Sequence, residues 1–276
     1  MPSTLGATAA DVRLPALTWK LVPAVLVSAS AVLLFGVQIP AAGYAVLAIA
    51  LVLAAVLDRS LLRDLSLIAA GIVIISTISV AADISYLNML VMGTVLALAV
   101  AVPYVVSRYV YRERAIRFPW RGGGRWKRVQ WFYLALVLCL GWTILPFYFI
   151  TSGVYTNWPV VTTPDEIARL LVGVNAVGIW DELFFICVVY VLLLRHFPNW
   201  LANLLQAVIF VSFLWELGYQ SWGPLLTFPF ALLQGYTFSL TRSLGYVITV
   251  HLLFDLVVFL VIVHARNPGA LPIFLI

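Results

Sequence analysis

Charge is what this sequence lacks. Asp, Glu, Lys and Arg make up 10% of its 276 residues, against about 25% in a soluble globular domain. Hydrophobic residues fill 64% and the mean hydropathy is +1.08, which excludes a water-soluble surface over most of the chain. Cysteine is scarce as well. Cys139 and Cys187 both fall within apolar runs, which excludes a disulfide framework and leaves two small buried hydrophobes. Strict alternation of apolar and polar residues is missing too, so a membrane β-barrel is excluded. No compact basic region or small-residue cleavage site precedes Leu21, and no removable signal peptide is expected. What remains is an all-α chain, a polytopic transmembrane helical bundle.

About nine spans are expected. They cover residues 21–39, 41–57, 65–82, 86–106 and 131–151, a long segment from Pro164 to an exit at Arg195, then 199–219, 222–240 and 243–263. A polar tail, residues 1–20, precedes them with Asp11, Arg13 and Lys20. The first four spans are rich in Ala, Val, Leu and Ile and nearly bare of polar groups. With the basic loop that follows, they read as a lipid-facing scaffold (residues 1–130), and residues 131–276 as the part that carries chemistry. The long segment has a clear start: Thr163 as N-cap, Pro164 at the first helical position, and Glu166 three residues after the cap.

Half of the 16 Lys and Arg lie between Arg108 and Arg128. This loop reads as a positive-inside anchor; the alternative is a patch for anionic lipid or a partner. Its Gly122-Gly123-Gly124 run is not a phosphate loop, because no Gly-Lys-Ser/Thr follows. The net charge of +5 is a topology signal, and no nucleic-acid partner is expected. The segments grouped with this loop carry Arg13, Lys20, Arg59, Arg63, Arg195 and Arg242, whereas the opposite loops carry only Arg169 and Arg266. A cytoplasmic N-terminus is therefore expected.

Against this background two adjacent carboxylates, Asp181 and Glu182, sit deep in an apolar run from Ile167 to Arg195. A charge near a span's centre costs about 2.5–3.5 kcal/mol on insertion scales, so such residues mark a functional site. Glu216, His251 and Asp255 are their candidate partners in later spans. Neighbours on a helix point about 100° apart, so one carboxylate faces a cavity while the other pairs with a neighbouring helix. His251 and Asp255, four apart, share one face. A divalent metal such as zinc, held by Glu216, His251 and Asp255 with an open position for water, is one solution; a site holding several protons is another. Asn175 lies on the face of Glu182, as an orienting group or a packing contact. His196 and His264 sit at span ends and read as interfacial.

The same residues resemble motifs of the CPBP family, the CAAX-protease and bacteriocin-processing group that includes type II CAAX prenyl endopeptidases. Asp181-Glu182-Leu183-Phe184-Phe185 is similar to its Glu-Glu pair, with Ile186 where the family has Arg. His251-Leu252-Leu253-Phe254-Asp255 matches its His-x-x-x-Asn/Asp motif, approached through Gly235-Tyr236-Thr237-Phe238 and Thr241-Arg242-Ser243-Leu244. The Phe-x-x-x-His motif should fall at 212–217, with Glu216 in the place of its His and Phe213 displaced by one. The resemblance covers about residues 164–264. It implies an intramembrane endopeptidase acting on a membrane-anchored or lipidated peptide or protein in a bacterial plasma membrane. An acidic residue, Asp181 or Glu182, would activate water, while Glu216, His251 and Asp255 support the water, the oxyanion or a metal. Two further readings stand beside it: a family member without hydrolytic activity serving as membrane scaffold or partner, and a proton- or cation-coupled carrier.

Overall fold

Helices start where the sequence offers caps. The computed structural model describes residues 19–122, 124–269 and 272–274, so the expected N-terminal tail, except Trp19 and Lys20, lies outside the described residues. The Asp58 side chain accepts from the Ser60 and Leu61 backbone N–H groups and opens α3 (Arg59–Ile75). Thr163 and Glu166 form the expected capping box of α6 (Pro164–Asp181), with Pro at its first turn. Ser243 caps α10 (Leu244–Arg266) by accepting from Tyr246 N–H. The other long helices are α1 (Leu21–Ala31), α2 (Pro40–Leu57), α4 (Tyr86–Val105), α5 (Arg128–Thr151), α8 (Asn199–Leu217) and α9 (Pro224–Thr241). A three-residue turn, α7 (Val191–Leu193), ends the helix that α6 begins.

Six helical segments are long and apolar enough to cross a membrane: Pro40–Leu57, Tyr86–Val110, Arg128–Thr151, Pro164–Leu193, Asn199–Leu217 and Leu244–Arg266. The other three expected spans are helical but fall short. The first is an apolar helix limited to Leu21–Gly36. The third begins six residues earlier than expected and stops at Ile75, because Asp58 caps it and its first turns bury Asp64. The eighth, α9, is interrupted in composition by Pro229 and Gln234.

The segment from Pro164 to Leu193 is the centre of the bundle. Of its most apolar window 72% is buried, against 22% for the spans Pro40–Leu57 and Tyr86–Val110. It is not a regular α-helix throughout. From Glu182 to Tyr190 it widens into a π-helix, which begins at the second carboxylate. Such wide turns are frequent at functional sites, though two shorter ones here, Val32–Gly36 and Val106–Val110, lie away from the acidic pair. Around the central segment packs an aromatic cluster, with Trp180 stacked on Phe184 (5.3 Å) and Phe185 on Phe210 (4.5 Å).

The first four spans are more than lipid-facing scaffold. The Trp180 indole N–H donates to the Leu96 carbonyl of α4 at 2.6 Å. Asp64 in α3 is buried and accepts from Arg195 (2.8 Å) and pairs with His196 (2.7 Å) at the far end of the central helix. Arg195 also reaches Glu113 at 2.7 Å. His196, at the end of the span and half-buried, is therefore tied to a carboxylate through its ring. The order Arg195-His196 after an apolar run, with Asp64 after a capped turn, is the only sequence trace of this clamp.

Candidate active site

Three helices bring the site together. Asp181 and Glu182 come from the junction of α6 with the π-helix, His251 and Asp255 from one face of α10, and Gln234 from α9. All five side chains are buried. Glu182 turns away from the cavity: its Oε1 lies 2.8 Å from His251 Nδ1 and accepts from Gln234 Nε2 at 2.6 Å. Gln234 Nε2 also donates to the Val247 carbonyl at 3.1 Å, which fixes that nitrogen as the donor end of the amide. The carboxylate oxygen thus receives two donors, and Nδ1 carries the imidazole proton.

The ring's other nitrogen, Nε2, faces Asp181 Oδ2 at 3.6 Å and Asp255 Oδ1 at 3.8 Å. Both distances exceed a hydrogen bond and leave room for reacting atoms beside the imidazole. Phe230 meets the ring edge-on at 5.1 Å and Phe210 flanks it at 6.0 Å, so the imidazole is walled by aromatics. Asp181 Oδ1, Glu182 Oε2 and Asp255 Oδ2 are buried without a hydrogen-bond partner among the described residues. Leaving a buried polar atom unpaired costs about 1–3 kcal/mol, more for a charge, so these oxygens are a standing demand for donors.

Asp181, His251 and Asp255 line one end of a cavity of about 330 Å³. Its other walls are mainly apolar, from α4 (Met92, Leu96) and α6 (Leu170, Val174, Val177), with Tyr219, Trp158 and Asp83 completing the lining. Gly178 makes the acidic end possible. A Cβ there would lie 1.9 Å from Asp255 Oδ2.

Four of the five expected residues converge, and Glu216 does not. It lies half-buried at the end of α8, where its Oε1 accepts from Val80 N–H at 3.2 Å. It makes no hydrogen bond or ion pair with Asp181, Glu182, His251 or Asp255. The residue that α8 turns toward His251 is Phe210. The expected metal set of Glu216, His251 and Asp255 therefore does not converge. Among the described residues no group of three or more His, Cys, Asp or Glu side chains is arranged to hold a metal ion. Asn175 does not orient Glu182; its amide donates to the Leu171 carbonyl of its own helix at 2.7 Å. Gln234 and Gly178 were legible only as a polar residue in a span and a glycine in a helix.

Residues 163–257 match the family model "Type II CAAX prenyl endopeptidase Rce1-like". The match holds every residue that converges on His251. Over these residues the chain is similar to that family. No curated protein and no solved structure matches the chain. The family is one of membrane proteases, and the apolar helices and matched family together make this an integral membrane protein.

Proposed function

We propose that the chain is an intramembrane endopeptidase that hydrolyses a peptide bond of a membrane-associated peptide or protein. One observation carries the reading: His251, fixed by Glu182 through Nδ1, presents Nε2 to a cavity in which Asp181 and Asp255 hold unpaired oxygens. Water held at Asp181 Oδ1 loses a proton to that carboxylate, and its oxygen attacks the scissile carbonyl carbon. In the doubly protonated imidazole, Nε2–H donates to the oxyanion that forms, and Glu182 stabilises the ring's charge. As the C–N bond breaks, Asp181 returns the proton to the leaving nitrogen. Asp255, across the ring, supplies a further acceptor that holds the substrate N–H or the water. Gln234 keeps Glu182 in place. Of the two solutions the sequence left open, a divalent metal such as zinc at Glu216, His251 and Asp255 would need donors that do not converge among the described residues, and the steps above are written with side chains alone.

A second reading, a family member that holds an apolar segment without cutting it, is favoured by Phe210, which stands beside His251 at 6.0 Å where a polar group would assist the reaction. Reconstituted protein with a single-span test substrate separates the two. Cleavage that disappears in both Asp181→Asn and His251→Ala supports hydrolysis. Binding without cleavage in the parent supports the second reading.

We also assign the cytoplasmic side to the face that carries the basic loop. Of the 16 Lys and Arg, 13 lie on that face (Lys20, Arg59, Arg63, the eight from Arg108 to Arg128, Arg195 and Arg242), and Arg13 lies outside the described residues. Only Arg169 and Arg266 remain for the other face, and short cytoplasmic loops are the ones that concentrate Lys and Arg. A cytoplasmic N-terminus follows.

A further inference from the structure

The cavity is not centred in the bundle; it lies on one side of the acidic residues. The helix ends fall on two faces, and contacts identify them. On the basic face, Lys20 pairs with Asp58, Arg195 with Asp64 and Glu113, and the Pro119 and Trp120 carbonyls accept from Leu244 N–H and Gly245 N–H. On the opposite face, Val80 N–H reaches Glu216, Tyr86 hydroxyl donates to Asp165, Asn157 reaches the Gly218 carbonyl, and Arg266 the Trp158 carbonyl.

From Asp181 and His251 the cavity runs only toward this second face. It is lined by the first half of α4, by α6 before Asp181, by the end of α8, and by Ala82, Asp83 and Ile84 between α3 and α4. No residue of the basic loop, of the turn after Arg195 or of the turn at Arg242 lines it. Its lining also reaches the outer surface of the bundle. Gly93 and Ala97 of α4 and Ala176 of α6 are exposed, and Gly173 is partly so. A Cβ at Gly93 or at Gly173 would meet nothing within 4 Å. Small side chains at these positions leave a lateral opening between α4 and α6. Behind it, buried Asp181 Oδ1 and Asp255 Oδ2 have no partner.

We infer that the site takes its substrate sideways from the non-cytoplasmic half of the membrane, as the apolar segment of a polypeptide whose scissile bond lies on that side. This rests on the proposed hydrolysis for the word substrate and on the charge asymmetry for the side; the lateral opening is independent of both. The occupant is an apolar polypeptide segment because the walls between Asp83 at the outer end and Asp181 at the inner one are mainly hydrocarbon, and at the inner end a backbone amide supplies the donors that Asp181 Oδ1 and Asp255 Oδ2 lack. A C-terminus presented from the cytoplasm meets the packed basic face instead. Arg169 marks the opening's outer rim: it stacks on Tyr86 (4.7 Å), pairs with Asp165 (2.8 Å) and donates to the Ile84 carbonyl, tying α6 to α4.

Two measurements test this without relying on hydrolysis. In a Cys139→Ser, Cys187→Ser background, a membrane-impermeant maleimide should label Asp83→Cys on intact cells and Gly124→Cys only after permeabilisation. The reverse pattern, or labelling of Gly124→Cys on intact cells, overturns the assigned side. In reconstituted bilayers, a single-span peptide with photoleucine in its non-cytoplasmic half should cross-link to α4 and α6 near Gly93 and Gly173. The adduct should fall about tenfold, equivalent to about 1.4 kcal/mol of binding, in a Gly93→Leu, Gly173→Leu variant whose thermal unfolding matches the parent. An unchanged adduct overturns the lateral opening. If the parent cleaves no test substrate while both measurements succeed, hydrolysis fails and the entry route stands.

Discussion

His251 Nδ1 and Glu182 Oε1 are 2.8 Å apart, and this bond divides the acidic pair into two duties. In the proposed reaction Glu182 holds the imidazole and stabilises its charge, while Asp181 lines the cavity. Glu182→Gln keeps an acceptor for Nδ1–H and for packing but removes the negative charge that stabilises the imidazolium. Cleavage of a membrane substrate should fall by about 10²–10⁴-fold, the usual worth of a positioned acid–base group, with the melting temperature near the parent's. Full activity in Glu182→Gln would falsify the assignment of the ring's charge to this bond.

Glu216 gives the opposite expectation. It caps the chain at Val80, away from the imidazole. Glu216→His restores the family's motif in sequence but places the imidazole at the end of α8, so kcat should not rise. Glu216→Ala removes one half-buried hydrogen bond and should lower stability by about 0.5–1.5 kcal/mol, with cleavage per folded molecule retained. A loss of kcat in Glu216→Ala, measured at equal folded fraction, would return this residue to the site.

Much of this was legible because the membrane makes polar residues conspicuous. Asp181, Glu182, His251 and Asp255 stand out in apolar runs, and the four-residue spacing of the last two already sets them on one face. The π-helix from Glu182 to Tyr190 was hidden, because an all-apolar stretch has no periodicity to betray a wider turn. The wall supplied by α4 was hidden for a related reason: Met92, Leu96 and Gly93 read equally well as lipid-facing residues. The Asp64 clamp joins residues 131 and 132 positions apart, beyond any local pattern.

A pH dependence is expected at the entry to α3. The Lys20 ammonium, then the Ser60 hydroxyl and the Leu61 and Ser60 N–H groups, hold the Asp58 carboxyl well below its ordinary pKa of 3.8. A depressed folded-state pKa means that the stabilisation is complete above the ordinary value and is lost as pH falls through the folded one. Asp58→Asn keeps the cap's acceptor and loses the ion pair. Its melting temperature should lie below the parent's at neutral pH, and the gap should close in acid. A gap that is constant across the range would remove the ion pair as its cause.

Gly178 and Asp255 give the sharpest test of the site's geometry. The absent side chain on α6 is what lets α10 bring its carboxylate against the central helix: a Cβ at Gly178 would sit 1.9 Å from Asp255 Oδ2 and 3.3 Å from His251 Cδ2. Any movement of the carboxylate takes it away from the ring it shares with Asp181. Gly178→Ala therefore either rotates Asp255 out of place or separates the helices, and overpacking of this kind costs about 1–3 kcal/mol. Alanine has the better helix propensity by about 1 kcal/mol, so local preference works against the expected loss. If the clash dominates, the melting temperature falls in Gly178→Ala, and cleavage falls with it. In an Asp255→Ala background the obstructing oxygen is gone, and Gly178→Ala should become neutral or stabilising. That reversal of sign is a coupling between two residues 77 positions apart, which a double-mutant cycle on thermal unfolding reads directly. Additive effects of the two substitutions would mean that Asp255 is not packed against Gly178 in the folded protein.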